Sequence, residues 1–354
     1  MSSACDHLVI GSNPLAALLA ALLATEHGRR VALVTDPYSP FAMRRSFDLS
    51  MAPLTRPETL LLLRRCGAET LVLLGRAGRS LVDRVDPLFI AETPTSQAAL
   101  GHFRHLARLL DIAAETVADR AAASGTATCR IRGVNLIAPE RFGPAMESFL
   151  DRHGVRRLDR LSTTLTLRKD GSCTIGTDGR PVEAAATVLA DDAAILALLP
   201  PEARDRSLVP AAAVAMLAQP ARPATLPPTV LLDRGVMVGR EPSGAIAAVL
   251  EGDPATASAR LAASVPRMLP LRRAGEAPLA RLLTQDAAPF VGPGRGHKAM
   301  LVAGLGMTGA FLAPAIARLL VGNAPADEAA WFAPRGPGRG NQRLDAADYV
   351  ADPR

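Results

Sequence analysis

The sequence predicts an α/β protein in which a discontinuous Rossmann-like domain is interrupted by an inserted mixed-sheet domain. Three observations predict it. A strand, a tight turn, a helix and a second strand open the chain over residues 7–36. Strand-rich sequence with hairpin turns fills the middle, and another strand, a glycine turn and an apolar helix nearly close it. Such an excursion and return suggests that residues 1–80, 140–200 and 285–340 build one domain and residues 81–139 and 201–284 the other, with 341–354 a loosely ordered tail.

The opening strand is "HLVI"; the helix runs from Pro14 to His27 and stops at Gly28, and "RRVALVTD" is the second strand. Proline just inside a helix start and glycine just past its end are the expected punctuation. Residues 37–54 are turn-rich. Helical periodicity follows through "RPETLLLLRRCGAETLVLLG" and "TSQAALGHFRHLARLLDIAAETVADRAAAS". "CRIRGVNLIAPERFGPAMESFLDRHGV" reads as a strand, a turn and a helix ending at Gly154. In the strand-rich stretch that follows, "KDG" and "TDGR" mark hairpins, as "EPSG" does further on. "DPATASARLAASVPRML" is a helix. The closing unit is a turn-rich segment, a strand over Ala299 to Ala303, a glycine turn and a long apolar helix.

Composition narrows the function classes. With 49% hydrophobic and 21% charged residues, 354 residues form an ordinary globular protein with a substantial core. Lys169 and Lys298 are the only lysines, so the net charge of +6 is carried by scattered arginines. Without a basic run or interleaved aromatics there is no nucleic-acid footprint. Cys5, Cys66, Cys129 and Cys173 form no C-x-x-C, which argues against a zinc site or disulfide framework and fits a reducing compartment. The first strand leaves no room for a signal peptide, and the apolar run at residues 14–24 is too short to span a bilayer. These features suggest a soluble, cytoplasmic protein. His102 and His105 share a helix face but lack a third ligand at metal spacing, so no metal is expected.

The first turn, Gly11-Ser12-Asn13-Pro14-Leu15-Ala16, stands where a dinucleotide-binding protein has G-x-G-x-x-G. Gly11 fills the first position, and Ala16 is an accepted substitute at the third. Asn13 replaces the glycine that lets the backbone approach a pyrophosphate; asparagine tolerates positive φ and is also a good N-cap for a helix starting at Pro14. Asp36, at the end of the second strand, is where a ribose-binding carboxylate belongs, or else merely ends a strand in a turn.

The C-terminal half resembles the D-amino-acid oxidase and glycine oxidase superfamily of FAD-dependent oxidoreductases. The match runs through Arg281, Thr284, Asp286, Pro289 and Gly292, then Gly304, Gly306, Gly309, Leu312 and Pro314. Together with "GVNLIAPERFGPAMESFLDRHGV" and "GRPVEAAATVLADDAAI", which are similar to further strand and helix segments of the family, the resemblance covers about three-fifths of the chain. The resemblance implies that Gly11, Asn13, Pro14, Ala16 and Asp36 bind FAD, joined by Gly304, Gly306, Met307, Thr308 and Gly309 near the flavin ring. It implies non-covalent FAD, since no cysteine or clear histidine stands at the usual attachment positions. Arg281 falls where relatives clamp a substrate carboxylate, a task suited to a planar guanidinium, and Thr308 adds a hydroxyl at the ring. A plain surface arginine and a helix-entry turn with structural glycines are the alternative readings. His297 and Lys298 are a minor candidate for the flavin edge.

The implied activity is oxidation of an amine or amino-acid-like substrate by hydride transfer to flavin N5. Several departures keep other functions open. Asn13 sits in the loop, Asp191-Asp192 replaces a small glycine-containing turn, and Tyr38 and Tyr349 are the only tyrosines available to hold a substrate carboxylate. The chain can instead be a degenerate accessory subunit with weak or no FAD binding, or a flavoenzyme acting on a larger peptide or biosynthetic intermediate. Expected partners are a small-molecule or peptide-like substrate and a partner subunit or second copy, with neither nucleic acid nor membrane.

Overall fold

The structure, a computed structural model, describes residues 5–36, 43–117, 125–177, 181–222, 226–264 and 271–338. β1 (Cys5–Ile10), α1 (Pro14–Thr25) and β2 (Val31–Thr35) lead to α2 (Pro57–Ala77), β3 (Val82–Val85), β4 (Leu88–Ala91) and α3 (Pro94–Leu109). Then come β5 (Ala114–Thr116), β6 (Ala127–Ile131), β7 (Val134–Ile137), α4 (Pro139–Arg152) and β8 (Arg156–Asp159). β9 (Thr164–Leu167), β10 (Cys173–Gly176), β11 (Val182–Leu189), α5 (Asp192–Leu198) and β12 (Leu208–Pro220) follow. The chain continues through β13 (Thr229–Leu231), β14 (Val236–Arg240), β15 (Ile246–Glu251), α6 (Pro254–Ser264) and β16 (Leu271–Thr284). It closes with β17 (Phe290–Pro293), β18 (Met300–Ala303), α7 (Ala313–Leu320) and α8 (Ala326–Phe332).

Two large sheets organise these elements. In the first, β18, β11, β1, β2 and β8 lie parallel in that order, β17 flanks β18 antiparallel, and the β9–β10 hairpin joins β11. Leu8, Val9 and Ile10 of β1 are buried on both faces, as a central parallel strand requires. The second sheet runs β16-β12-β15-β14-β13-β4-β6-β5, antiparallel except where β13 meets β4. Its strands come from residues 88–131 and 208–284, those of the first sheet from 5–35, 156–189 and 290–303. The fold class is the one the sequence predicts.

α1 is apolar all round and nearly all of it is buried, packed against β2, α4 and α7. Asn13 caps it and Pro14 opens it, as expected. Asn13 itself is extended, with φ −103°, so its tolerance of positive φ is not used. The "KDG" and "EPSG" hairpins form, with Gly171 and Gly244 in the left-handed region at φ +84° and +85°. β10 and β11 pair antiparallel around "TDGR", whose residues 178–180 lie outside the described residues.

Several expected elements differ. The helix expected over 95–124 ends at Leu109: Asp111 adopts φ +56°, and the Ile112 N–H returns to the Ala107 carbonyl at 2.8 Å. That closure ends the helix, and Ala114–Thr116 pairs with β6 instead; 118–124 lie outside the described residues. The single strand expected before α4 is two, because Gly133, at φ +67°, turns the chain between β6 and β7, which join different sheets. The long closing helix is a 3₁₀ segment over Gly306–Leu312 and then the shorter α7, which begins around Pro314. The turn-rich segment ahead of it contains the end of β16 and all of β17. The helix expected through residue 269 is described to Ser264, and the expected tail, 341–354, lies outside the described residues. No helix among the described residues is long and apolar enough to cross a membrane.

Candidate functional site

In an open parallel sheet, ligands bind at the carboxyl ends of the strands, where neighbouring connections diverge. Here the turns after β1, β11 and β18 and the residue that follows β2, Asp36, lie at that edge. The Gly11 N–H donates to the Val34 carbonyl at 3.0 Å, tying the first turn to the end of β2. A Cβ on Gly11 would lie 3.0 Å from the Ala16 Cβ and 3.3 Å from the Ala190 backbone. The first and third positions of the worn motif thus touch, and a side chain at the first would push α1 from its strand. The Ser12 hydroxyl accepts the Asp36 N–H at 2.8 Å, which brings the expected ribose carboxylate to the loop.

The Asn13 side chain works in two directions. Its Oδ1 accepts the Ala16 N–H at 2.9 Å, and its Nδ2 donates to the Ala190 carbonyl at 2.9 Å. Asp191 crosses the same gap: its Oδ2 accepts the Ser12 N–H at 2.7 Å, and its Oδ1 caps α5 through the Ala194 N–H at 2.6 Å. Burial pushes the Asp191 carboxyl up, partly opposed by those two N–H groups and by Arg160.

At the other side of the edge, Gly304 follows β18 with φ +66°, and a Cβ there would come within 2.7 Å of Thr284 at the end of β16. Gly306, at φ +53°, is exposed and Met307 half-buried, with the Met307 carbonyl accepting the Leu49 N–H at 2.7 Å. Thr308 and Gly309 face inward: Thr308 is fully buried, its hydroxyl donating to the Leu305 carbonyl at 3.4 Å, and the segment packs on α2.

Arg281, on β16 three residues before Thr284, is half-buried and donates from Nη2 to the Arg45 carbonyl at 3.0 Å. Arg45 lies 3.8 Å from the Asp36 carboxylate, so Asp36, Arg45 and Arg281 form one string along the edge. Arg281 also acts electrostatically on Asp48 and Asp192. Burial raises the Asp48 carboxyl, opposed by the Ser46 hydroxyl at 2.7 Å and by Arg44 and Arg281. Burial pushes Asp192 up to about 6, against the Leu282 N–H and Arg281, while Asp191 pushes it further up. Arg281 thus acts on two acids, Asp48 and Asp192, besides holding the Arg45 carbonyl.

Asp192 carries a measurable consequence. A carboxyl whose folded pKa is raised holds its proton better folded than unfolded. Its contribution is whole below about pH 4 and is lost as pH rises through about 6. Asp192→Asn mimics the protonated acid at every pH. Its stability relative to wild type is expected to climb from near zero at pH 4 to about 2–3 kcal/mol at pH 7. Urea melts across that range check it; parallel profiles for the two proteins would refute the assignment.

Other expected residues fall elsewhere. His297 and Lys298 precede β18, at its amino end, and so lie at the opposite edge of the parallel sheet from these turns. Their backbone meets the β9–β10 hairpin, with the Lys298 N–H donating to the Lys169 carbonyl at 2.8 Å. His102 and His105 are exposed on α3, and among the described residues no cluster is placed to hold a metal ion. Tyr38 and Tyr349 lie outside the described residues. Sequence reasoning did not single out Ser12, Arg45 or Asp48. The "MRRSFDLS" segment is dense in charge, but nothing local ties it to this edge.

No family model matches the chain, and no curated protein matches it in sequence. Its fold does match solved structures. Iminodiacetate oxidase from Chelativorans sp. BNC1 aligns over 94% of this chain and 100% of its own, with TM-score 0.69 at 18% identity. Glycine oxidase from Geobacillus kaustophilus aligns over 94% and 98%, with TM-score 0.69 at 15% identity. L-proline dehydrogenase from P. horikoshii aligns over 95% and 98%, with TM-score 0.68 at 15% identity.

Proposed function

We propose that this chain, which has the fold of the D-amino-acid oxidase and glycine oxidase superfamily, is an FAD-dependent oxidoreductase acting on the C–N bond of an amine or amino-acid-like substrate. The observation that carries the reading is the match of nearly the whole chain to amino-acid and amine oxidases and dehydrogenases. The residues at this edge suit the cofactor in most respects. The bare backbone at Gly304 and Gly306, the capped start of α1 and the Asp36 carboxylate suit a dinucleotide. The contact from Asp191 to Ser12 is the feature that opposes it.

In this reading Asn13 and Pro14 face the pyrophosphate non-covalently, the buried Gly11 and Ala16 let that turn pack closely behind them, and Asp36 faces the ribose. Gly304, Gly306 and Met307 border the ring, with Thr308 and Gly309 holding that turn from behind. Bound flavin supplies the two-electron acceptor. Arg281 holds the substrate carboxylate with its planar fork while retaining the Arg45 carbonyl as an anchor. Residues 1–80, 140–200 and 285–340 then form the cofactor domain and 81–139 with 201–284 the substrate cap. Four free, buried cysteines suit a cytoplasmic enzyme.

The test is anaerobic reduction. Protein reconstituted with FAD is expected to lose its visible flavin band with at least one of glycine, iminodiacetate, L-proline or a secondary amine. Retention of the oxidised spectrum with all of them, and with peptide-linked amines, would reject the C–N reading. A second reading, an accessory subunit without flavin, is favoured by the Asp191–Ser12 contact alone.

A further inference from the structure

We propose that Asp191 is an internal competitor for the phosphate site of the first turn, a placeholder that FAD must displace. The inference rests on the flavin reading and concerns what limits affinity for that cofactor. A dinucleotide loop works by offering backbone N–H groups at the start of a helix to phosphate oxygens. In this chain two of those donors are already engaged. The Ser12 N–H goes to Asp191 Oδ2 at 2.7 Å and the Ala16 N–H to Asn13 Oδ1 at 2.9 Å.

The two acceptors are not equivalent. Asn13 Oδ1 is the N-cap of α1 and stays within its own turn. Asp191 comes from the βα turn of another strand, 179 residues away, and presents a carboxylate to an exposed main-chain N–H, the chemistry of a phosphate oxygen. Its other oxygen is fixed by α5, so the carboxylate is held in place rather than free to swing. The Asn13 Nδ2 bond to the Ala190 carbonyl and the Ala190 N–H bond to the Ile10 carbonyl, 2.8 Å, stitch the two turns together beside it. A pyrophosphate entering here meets a like charge and a donor already in use. With this donor satisfied from within, the turn is complete without a ligand.

Asp191→Ser tests this. Serine still caps α5, being a good N-cap residue, but is too short to reach Ser12 and carries no charge. FAD binding is read by flavin fluorescence and calorimetry, with ADP as a probe lacking the ring. The expected result is affinity for both ligands on the order of 10-fold or more above wild type, the worth of one charge-assisted bond regained. Asp191→Asn keeps the shape of the side chain and is expected to move affinity the same way. Thermal unfolding of the ligand-free variants shows that each is folded. Saturable FAD binding that is equal in wild type and both variants would overturn the inference and leave the flavin reading standing. Binding by none of the three would overturn both.

Discussion

Replacing Arg318 with alanine is expected to destabilise the protein by about 3–5 kcal/mol. Arg318, on α7, donates to Glu328 Oε2 at 2.9 Å and Oε1 at 2.6 Å, and to Glu69 of α2 at 2.6 Å. Glu328 has no exposed surface and takes a further bond from Arg65 at 2.7 Å. The cluster ties α2, α7 and α8 together, and these support the turns of the site: α7 packs on α1, and α2 packs on the 306–312 segment. Removing Arg318 leaves a buried carboxylate with one cation in place of two. The pair is not inherently more stabilising than apolar packing, so Arg318→Met combined with Glu328→Leu is expected to regain most of the loss. Urea unfolding measures both variants. A loss below about 1 kcal/mol for the single change would show that Arg65 alone satisfies Glu328.

The second large effect is catalytic. Arg281→Lys is expected to raise KM for a carboxylate-bearing amine by about 10- to 100-fold with little change in kcat, since the charge stays and the two-pronged geometry goes. For an amine without a carboxylate the KM should hardly move. That contrast separates a clamp from a brace. Arg281 also anchors the Arg45 carbonyl and faces Asp48 and Asp192, so a purely structural role would lower stability and affect both substrates alike. Equal losses on the two substrates would end the clamp assignment.

How far the chain can be read without its structure varies by element. The opening β1–α1–β2 unit was legible because every signal is local: a buried apolar strand, Asn13 and Pro14 at the helix start, and Gly28 after its end. Gly304 was legible for the same reason, its positive φ demanding glycine. β12 and β16 were not. Their alanine-, arginine- and proline-rich sequences lack the β-branched alternation that marks strands, and they are held by pairing from Leu208↔Thr284 to Pro220↔Leu271. The site divides similarly. Asp36 could be placed from its distance past the turn. The acidic pair at 191–192 was visible as charge near a nucleotide, but the partner of Asp191 is set by the packing of two distant turns. His297 and Lys298 lie close to the glycine turn in sequence, yet the strand between them and it carries them to the opposite edge.

The edge formed by the turns after β1, β11 and β18, with Asp36 after β2, is proposed to bind FAD. Titration of the purified protein with FAD, followed by its visible spectrum and by heating to release the chromophore, decides this. Saturable binding, a flavin spectrum and complete release of free FAD on denaturation are expected. A protein that stays colourless and leaves FAD fluorescence unchanged, in wild type and in Asp191→Ser alike, would contradict the proposal and leave a chain that keeps the oxidase fold for another purpose.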